Sequence, residues 1–442
     1  MKLFYVLIIL FLNNCSFDNK TSIWKNISET ENEQNINFKD FKNINVTNQN
    51  KFNKTIKIKK NFKFILSAQE NPQDWVDFYY SPNNNYINFQ YKDKNKISFQ
   101  STRLSRKKLS KNILFKNNLL ITTNTSGEII IYSLEKKKII NKYNFYKNKF
   151  KHIKKNLNYI LNNNTLYLSD NIGYLYAYNI LENKIIWAKK FDIPFRSNLK
   201  LTKKELFLAD QSNNLFIVNI QNGEIIRKIP TEETLIKNNF INNLSLDDDN
   251  LYFLNTFGSL YSINRKNYRI NWFVNINPLL DINIDNLFIS SELKIVGKNL
   301  IISTNNSLRV LNSENGSTRY TVPIQSTISP IINNRYLFII SENNLLISID
   351  IATGKIIYSY QIDNAIAQFL KTKIKNKVNV KFLRVVNDQI FIFLENSFVL
   401  KFDIFGEIKD TFKLQKRINS NLAFINSSML YVNNKNKLIL LN

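Results

Sequence analysis

Apolar and polar positions alternate over short runs from about residue 68 to the last residue, and Asn or Gly interrupts them at regular intervals. In Leu166-Tyr-Leu-Ser169, Asp170-Asn-Ile-Gly173, Leu175-Tyr-Ala-Tyr-Asn179, Leu181-Glu-Asn183 and Ile185-Ile-Trp187 the pattern reads strand, turn, strand, turn, strand. The same frame recurs with an apolar residue and a partner nine positions on: Leu120 and Ile129, Leu166 and Leu175, Leu206 and Leu215, Leu251 and Leu260, Leu337 and Leu346, Ile390 and Val399, Met429 and Leu438. Leu300 and Leu308 form the eighth pair, one residue shorter. The second members step by 46, 40, 45, 48, 38, 53 and 39 residues. A fixed hairpin inside a unit of about 44 residues, with no 3.6-residue period, is the signature of a propeller blade rather than of a helical repeat.

The pattern therefore predicts an all-β fold, an eight-bladed β-propeller of four-stranded antiparallel blades. The last repeat ends at Asn442, directly after the strand Leu438 to Leu441, and lacks the outer strand that the others carry. Two strand-like segments precede the first full repeat, Tyr86 to Gln90 and Lys96 to Gln100. The N-terminal part of the body is expected to supply the missing strand, so that the ring closes through N- and C-terminal strands and no sheet edge is left open.

Ahead of the body the pattern changes twice. After Met1 and Lys2, residues Leu3 to Leu12 are uninterruptedly apolar, a run of signal-peptide length that spans about 15 Å as helix, half a bilayer. Cys15, the single cysteine of the chain, follows Leu12-Asn13-Asn14. From Ser16 to about Lys60 the sequence is rich in Asn, Lys, Glu and Thr without a sustained period, which reads as a tether. The expected organisation is 1–14 signal peptide, 15–67 lipidated Cys15 and flexible tether, and 68–442 propeller.

Composition narrows the chemistry. One Cys and one His exclude an intramolecular disulfide, Cys/His zinc sites, iron–sulfur ligation and a Cys–His nucleophile pair. His152, in a Lys-rich stretch before a β segment, reads as a surface loop residue. The 61 Lys+Arg against 34 Asp+Glu leave a net charge of +27, dispersed over tether and turns in a chain biased throughout toward Asn, Lys, Ile and Phe. The basic residues are not interleaved with stacking aromatics, so no nucleic-acid partner is expected.

Two resemblances extend this reading. The segment ending in Cys15 resembles a bacterial lipoprotein signal, departing from its pattern at Asn14, where a small residue is usual; Ser16 in place of Asp points to the outer membrane. Within the repeats, Leu175 to Trp187 and Leu346 to Tyr358 resemble the pyrroloquinoline-quinone-type propeller repeat, and Asn222-Gly223, Asn315-Gly316 and Thr353-Gly354 match its hairpin turn. Trp187, Trp272, Tyr320 and Tyr358 hold the position that docks one blade on the next in that family, while Arg227 and Asn141 depart from it. A lipoprotein signal followed by an eight-bladed propeller of this kind is similar to the BamB family, lipoprotein subunits of the bacterial outer-membrane β-barrel assembly machine.

That resemblance implies a non-enzymatic scaffold without a cofactor, anchored to the outer membrane on its periplasmic face as one subunit of a complex. Its expected partners are the periplasmic domains of the barrel-assembly protein. The partner-binding loop it implies is best matched by Asp192-Ile-Pro-Phe-Arg-Ser197, with Phe195 as apolar anchor and Arg196 as a guanidinium for a carboxylate. The alternative readings are a periplasmic propeller that binds anionic polysaccharide or lipopolysaccharide, and a quinone-dependent dehydrogenase. The dehydrogenase resemblance calls for a vicinal disulfide and a calcium ion, and a chain with one cysteine lacks the first; Asp247-Asp-Asp249, the most obvious carboxylate cluster, reads as a turn.

Overall fold

Alternation becomes blades because each repeat buries both faces of its middle strands against neighbouring repeats. In the computed structural model, which describes residues 15–18, 23–26, 54–146, 150–233, 241–277, 288–304, 306–326, 328–371 and 377–442, eight antiparallel sheets carry the repeats. Blade 1 consists of Leu114–Lys116, Leu119–Thr123, Glu128–Ser133 and Lys138–Asn144. Blade 2 consists of Leu157–Asn162, Thr165–Asp170, Tyr174–Asn179 and Lys184–Lys190. Blades 3 to 6 follow the same order from Lys200–Leu201 to Ile356–Gln361, and blade 7 runs from Val380–Val386 to Ile408–Lys413.

Blade 8 closes the ring as the incomplete last repeat requires. Ala423–Ile425, Ser428–Val432 and Lys437–Leu441 are completed by Ile97–Arg103, with Leu440 opposite Phe99 and Leu441 opposite Ile97. The other strand-like segment goes elsewhere. Asn88–Phe89 pairs in parallel with the inner strand of blade 7, Val385 opposite Asn88 and Val386 opposite Phe89, and makes that sheet five-stranded.

The core lies between blades rather than within them. Leu166, Leu168 and Tyr178 of blade 2 pack with Ile121, Ile129 and Ile131 of blade 1, and successive clusters repeat this around the ring. Inner, second and third strands are buried nearly throughout, whereas the outer strands are mostly exposed, as in Ile225–Ile229. The long insert after Tyr358 contains a nine-residue helix, α1 (Ile362–Leu370), whose Ile362 and Ile366 join the core of blades 6 and 7.

The chain divides into two units, 1–46 and 47–442. In the first, the strand Cys15–Asp18 pairs with Ile23–Asn26, Cys15 opposite Asn26; the apolar leader 1–14 lies outside the described residues. In the second, residues 54–67, which the sequence reading assigns to the tether, lie against blade 6. Ile56 and Ser359 exchange backbone hydrogen bonds of 2.8 and 2.9 Å, and the Phe64 ring meets Tyr336 edge-on at 4.7 Å. The side chains of Ile58, Phe62, Phe64 and Leu66 pack on the core of blades 6 and 7.

Candidate functional site

A propeller's chemistry lies at its axis and on the loops of its two faces, and here the chain itself occupies the axis. Residues 71–90 cross the end of the channel that carries the turns between first and second strands, and they touch every blade. Trp75 exchanges backbone hydrogen bonds of 2.7 and 2.8 Å with Phe115 of blade 1, and the Val76 carbonyl accepts from Leu161 N–H of blade 2 at 3.0 Å. The Pro82 carbonyl accepts from Leu246 of blade 4, and Asn84 Nδ2 donates to the carbonyls of Leu244 and Leu293, each at 2.8 Å. Asn85 donates to Ile332 of blade 6, Asn88 pairs with blade 7, and the Phe78 and Pro72 carbonyls accept from Asn421 and Asn426 of blade 8.

Cations on the inner strands hold this plug. Lys200 of blade 3 is fully buried, and its Nζ donates to Asp77 Oδ2 at 2.7 Å and to the Ser81 carbonyl at 2.9 Å. Lys294 of blade 5, also fully buried, donates to the Asn84 carbonyl at 2.6 Å and lies 3.4 Å from Glu292. The Arg384 guanidinium of blade 7 stacks 3.7 Å above the Tyr86 ring. Burial pushes Lys294 down to about 8, with Glu292 opposing that shift and Arg384 adding to it. Sequence reasoning missed the plug, although three signals exist: cations at inner-strand positions, an aromatic-rich stretch from Trp75 to Tyr91 without a hairpin frame, and prolines just before it (Pro72) and within it (Pro82).

The opposite face carries the blade-to-blade connections, among them the predicted partner loop. Phe195 forms an isolated bridge with Asp210, and Leu109–Asn124, Ser290–Thr304 and Ile418–Asn433 are the same bridge at other connections. The structure corrects one expectation here. Phe195 is 3% exposed, packed edge-on against Phe191 at 4.8 Å and Phe216 at 6.0 Å, so it holds the connection in place instead of presenting an apolar anchor. Its equivalents Leu109 and Ile418 are buried too, which makes this a repeat position of the fold. Arg196, the next residue, is half-buried; its backbone N–H donates to the Ala209 carbonyl, and its guanidinium is held below its ordinary value by burial. No ion pair or side-chain hydrogen bond engages that guanidinium among the described residues.

Arg196 borders a funnel of about 770 Å³ set between the connections into blades 1, 2 and 3, with Phe78 of the plug in its wall. The Asp247–Asp249 stretch lies on the other face as the turn it resembles: Asp247 Oδ1 accepts from the N–H groups of Asp249 and Asn250 at 3.0 and 2.7 Å. His152 is exposed. Among the described residues no group of three His, Cys, Asp or Glu side chains could hold a metal ion, and the funnel wall contains neither a carboxylate nor a cysteine. A quinone held on calcium beneath a disulfide does not fit this donor set.

Comparison with known proteins agrees with the geometry. The family described as outer membrane protein assembly factor BamB matches residues 160–360, from the inner strand of blade 2 to the outer strand of blade 6. BamB from Moraxella catarrhalis superposes with a TM-score of 0.62 at 13% identity, covering 78% of this chain and 99% of that one. The chain is an eight-bladed repeat propeller similar to BamB in fold. At such identities structural likeness speaks for the fold alone, and other propellers share it. A europium-containing methanol dehydrogenase reaches a TM-score of 0.58 at 11% identity over 81% of this chain and 89% of its own. The C-terminal WD40 domain of Sif2 reaches 0.54 at 10% identity over 86% and 99%. No curated protein matches the sequence. The blades of this propeller differ from one another in how they dock. Trp187 and Trp272 donate through Nε1 to the carbonyls of Ile220 and Ser313 in the following blade at 2.9 and 3.1 Å, and Tyr320 through its hydroxyl to Ile351 at 2.7 Å. Asn141 instead donates to the Tyr178 hydroxyl at 3.0 Å.

Proposed function

We propose that this protein is a non-enzymatic scaffold of the outer-membrane β-barrel assembly machinery, lipid-anchored through Cys15 at the periplasmic face of the outer membrane. In this reading it binds the periplasmic domains of the barrel-assembly protein. The observation that carries it is the division of labour between the two faces. One end of the axis is filled by the chain's own residues 71–90, held by the buried Lys200–Asp77 ion pair and by Lys294 donating to the Asn84 carbonyl, while the face with the blade connections carries a guanidinium, Arg196, that no ion pair or side-chain hydrogen bond engages among the described residues. A partly buried arginine on a loop fixed by Phe195 is preorganised to form a fork with a carboxylate. The family match over residues 160–360, which includes this loop, supports the assignment.

The direct test is gentle detergent extraction of tagged protein from its native membranes, followed by mass spectrometry of what co-purifies. Recovery of a barrel protein with periplasmic domains at near-equal amount is the expected result. Recovery of the propeller alone sinks the scaffold reading.

A further inference from the structure

The funnel beside Arg196 carries a charge distribution that the scaffold reading does not use. Five cations line it, Lys108, Lys111, Lys154, Lys155 and Arg196, and no carboxylate does. The chain as a whole has 61 basic residues to 34 acidic, so background composition would place one or two carboxylates among them. Lys155 is satisfied, donating to the Phe150 carbonyl and lying 5.1 Å from the centre of the Tyr146 ring. The other four make no ion pair or side-chain hydrogen bond among the described residues. Nearby, Lys381 is held below its ordinary value by burial and by Lys111 and Arg417, with Glu395 the one opposing charge. Like charges gathered in a concave, partly desolvated site repel one another until an anion enters.

The remaining wall is rich in side-chain amides, among them Asn112, Asn158 and Gln211, while Asn198 is committed to the backbone of Leu244. Asn112 is only 7% exposed, and its Oδ1 makes no hydrogen bond. Cations at the rim match phosphate oxygens, while amides, which both donate and accept, match sugar hydroxyls. A volume of about 770 Å³ lies within the range of sites for small molecules.

We infer that this funnel is a binding site for a phosphorylated saccharide, with Lys108, Lys111, Lys154 and Arg196 taking the phosphate and the amides taking the sugar. The group could arrive as a free sugar phosphate or as the phosphorylated sugar headgroup of a lipid. The inference goes beyond the scaffold reading and shares only Arg196 with it, so the test is read at Lys111 and Lys154.

Calorimetric titration of the full-length protein in detergent with glucose 1-phosphate, inorganic phosphate and glucose tests it. Glucose 1-phosphate binds saturably, phosphate more weakly and glucose not at all, and the affinity falls as salt is raised. Lys111→Glu and Lys154→Glu each weaken binding about tenfold or more while the unliganded melting temperature holds. Lys355→Glu, exposed on the turn between third and fourth strands of blade 6, leaves binding unchanged. The source is then read from vesicles of phosphatidylcholine, with and without a phosphorylated glucosamine lipid, mixed with the full-length Cys15→Ser chain. Retention on the loaded vesicles that glucose 1-phosphate reverses assigns a headgroup, and titration without retention assigns a soluble sugar phosphate. Absence of saturable heat at millimolar glucose 1-phosphate overturns the inference, as does binding that survives Lys111→Glu and Lys154→Glu unchanged. Heat from polyglutamate but none from glucose 1-phosphate replaces the saccharide with an acidic peptide.

Discussion

The indole of Trp187 in blade 2 fills the space where a side chain on Gly223 of blade 3 would begin: a Cβ there would stand 2.6 Å from the ring. Gly316 is related in the same way to Trp272 at 2.5 Å, and Gly354 to Tyr320 at 2.9 Å. Where the docking aromatic is missing, so is the glycine. Asn141 faces a turn with Asn183 at the equivalent place, and Arg227 precedes a turn with Tyr268 there, both at positive φ (56° and 58°). The two departures from the repeat therefore come with a matching change in the next blade. Tyr268 closes its gap from the other side, packing against the core of blades 3 and 4 and donating its hydroxyl to Glu205 at 3.0 Å.

A double-mutant cycle on this contact has a definite sign. Gly223→Ala meets both the indole and a φ of 73°, and Trp187→Ala empties a nearly buried site. Truncation of the tryptophan is expected to cost about 3–5 kcal/mol, and Gly223→Ala about 1–3 kcal/mol. The double variant is expected to lose less than the total of the two, because the vacated space receives the new methyl group. Urea denaturation measures all three, and strict additivity contradicts the docking role.

The plug can be tested through its buried ion pair. Lys200→Met leaves Asp77 without its cation in a buried site, an expected loss of about 3–5 kcal/mol. Adding Asp77→Asn should restore much of it. Limited proteolysis of the single variant is expected to cut first within residues 71–90, and unchanged resistance there would show that the pair does not hold the segment.

The same region gives stability a pH dependence. Lys294 has a folded-state value lowered to about 8 by burial, against an ordinary 10.5, so above about pH 8 the unfolded chain binds a proton that the folded one has released. Stability from this group thus rises with pH between about 8 and 10.5. Lys294→Met should flatten the dependence of the urea midpoint on pH across that window; an unchanged slope assigns it to other groups.

For the proposed scaffold role, Arg196→Glu is expected to lower partner capture at least tenfold with the melting temperature retained, because its guanidinium makes no ion pair or side-chain hydrogen bond among the described residues. Phe195→Ala should unfold the connection instead and lower both together. Cys15→Ser should move the protein from the membrane to the soluble fraction, and an unchanged distribution would remove the anchor.

What the sequence shows and what it hides follow one physical line. Hairpin spacing, the short last blade and the docking aromatics depend on contacts within a repeat or between adjacent repeats, and Leu166, Leu175 and Trp187 carry them openly. The plug depends on contacts that cross between repeats far apart in the chain, such as Asp77 with Lys200 and Phe78 with Asn421, and no local period records those. Phe195 was legible as apolar and loop-borne, but its burial comes from Phe191 and Phe216, which only the folded ring brings together.

Closure of blade 8 by Ile97–Arg103 also sets the order in which a growing or translocating chain can finish folding. Its register with Lys437–Leu441 joins residues about 340 positions apart, as in the hydrogen bond from Ser98 to the Leu440 carbonyl. A chain that emerges from its N-terminus can stack blades 1 to 7 as they appear, yet Ile97–Arg103 stays an unpaired strand until the last hairpin arrives. Through that interval the molecule exposes the kind of edge that invites aggregation, and the ring's final step is the one most in need of protection by a chaperone.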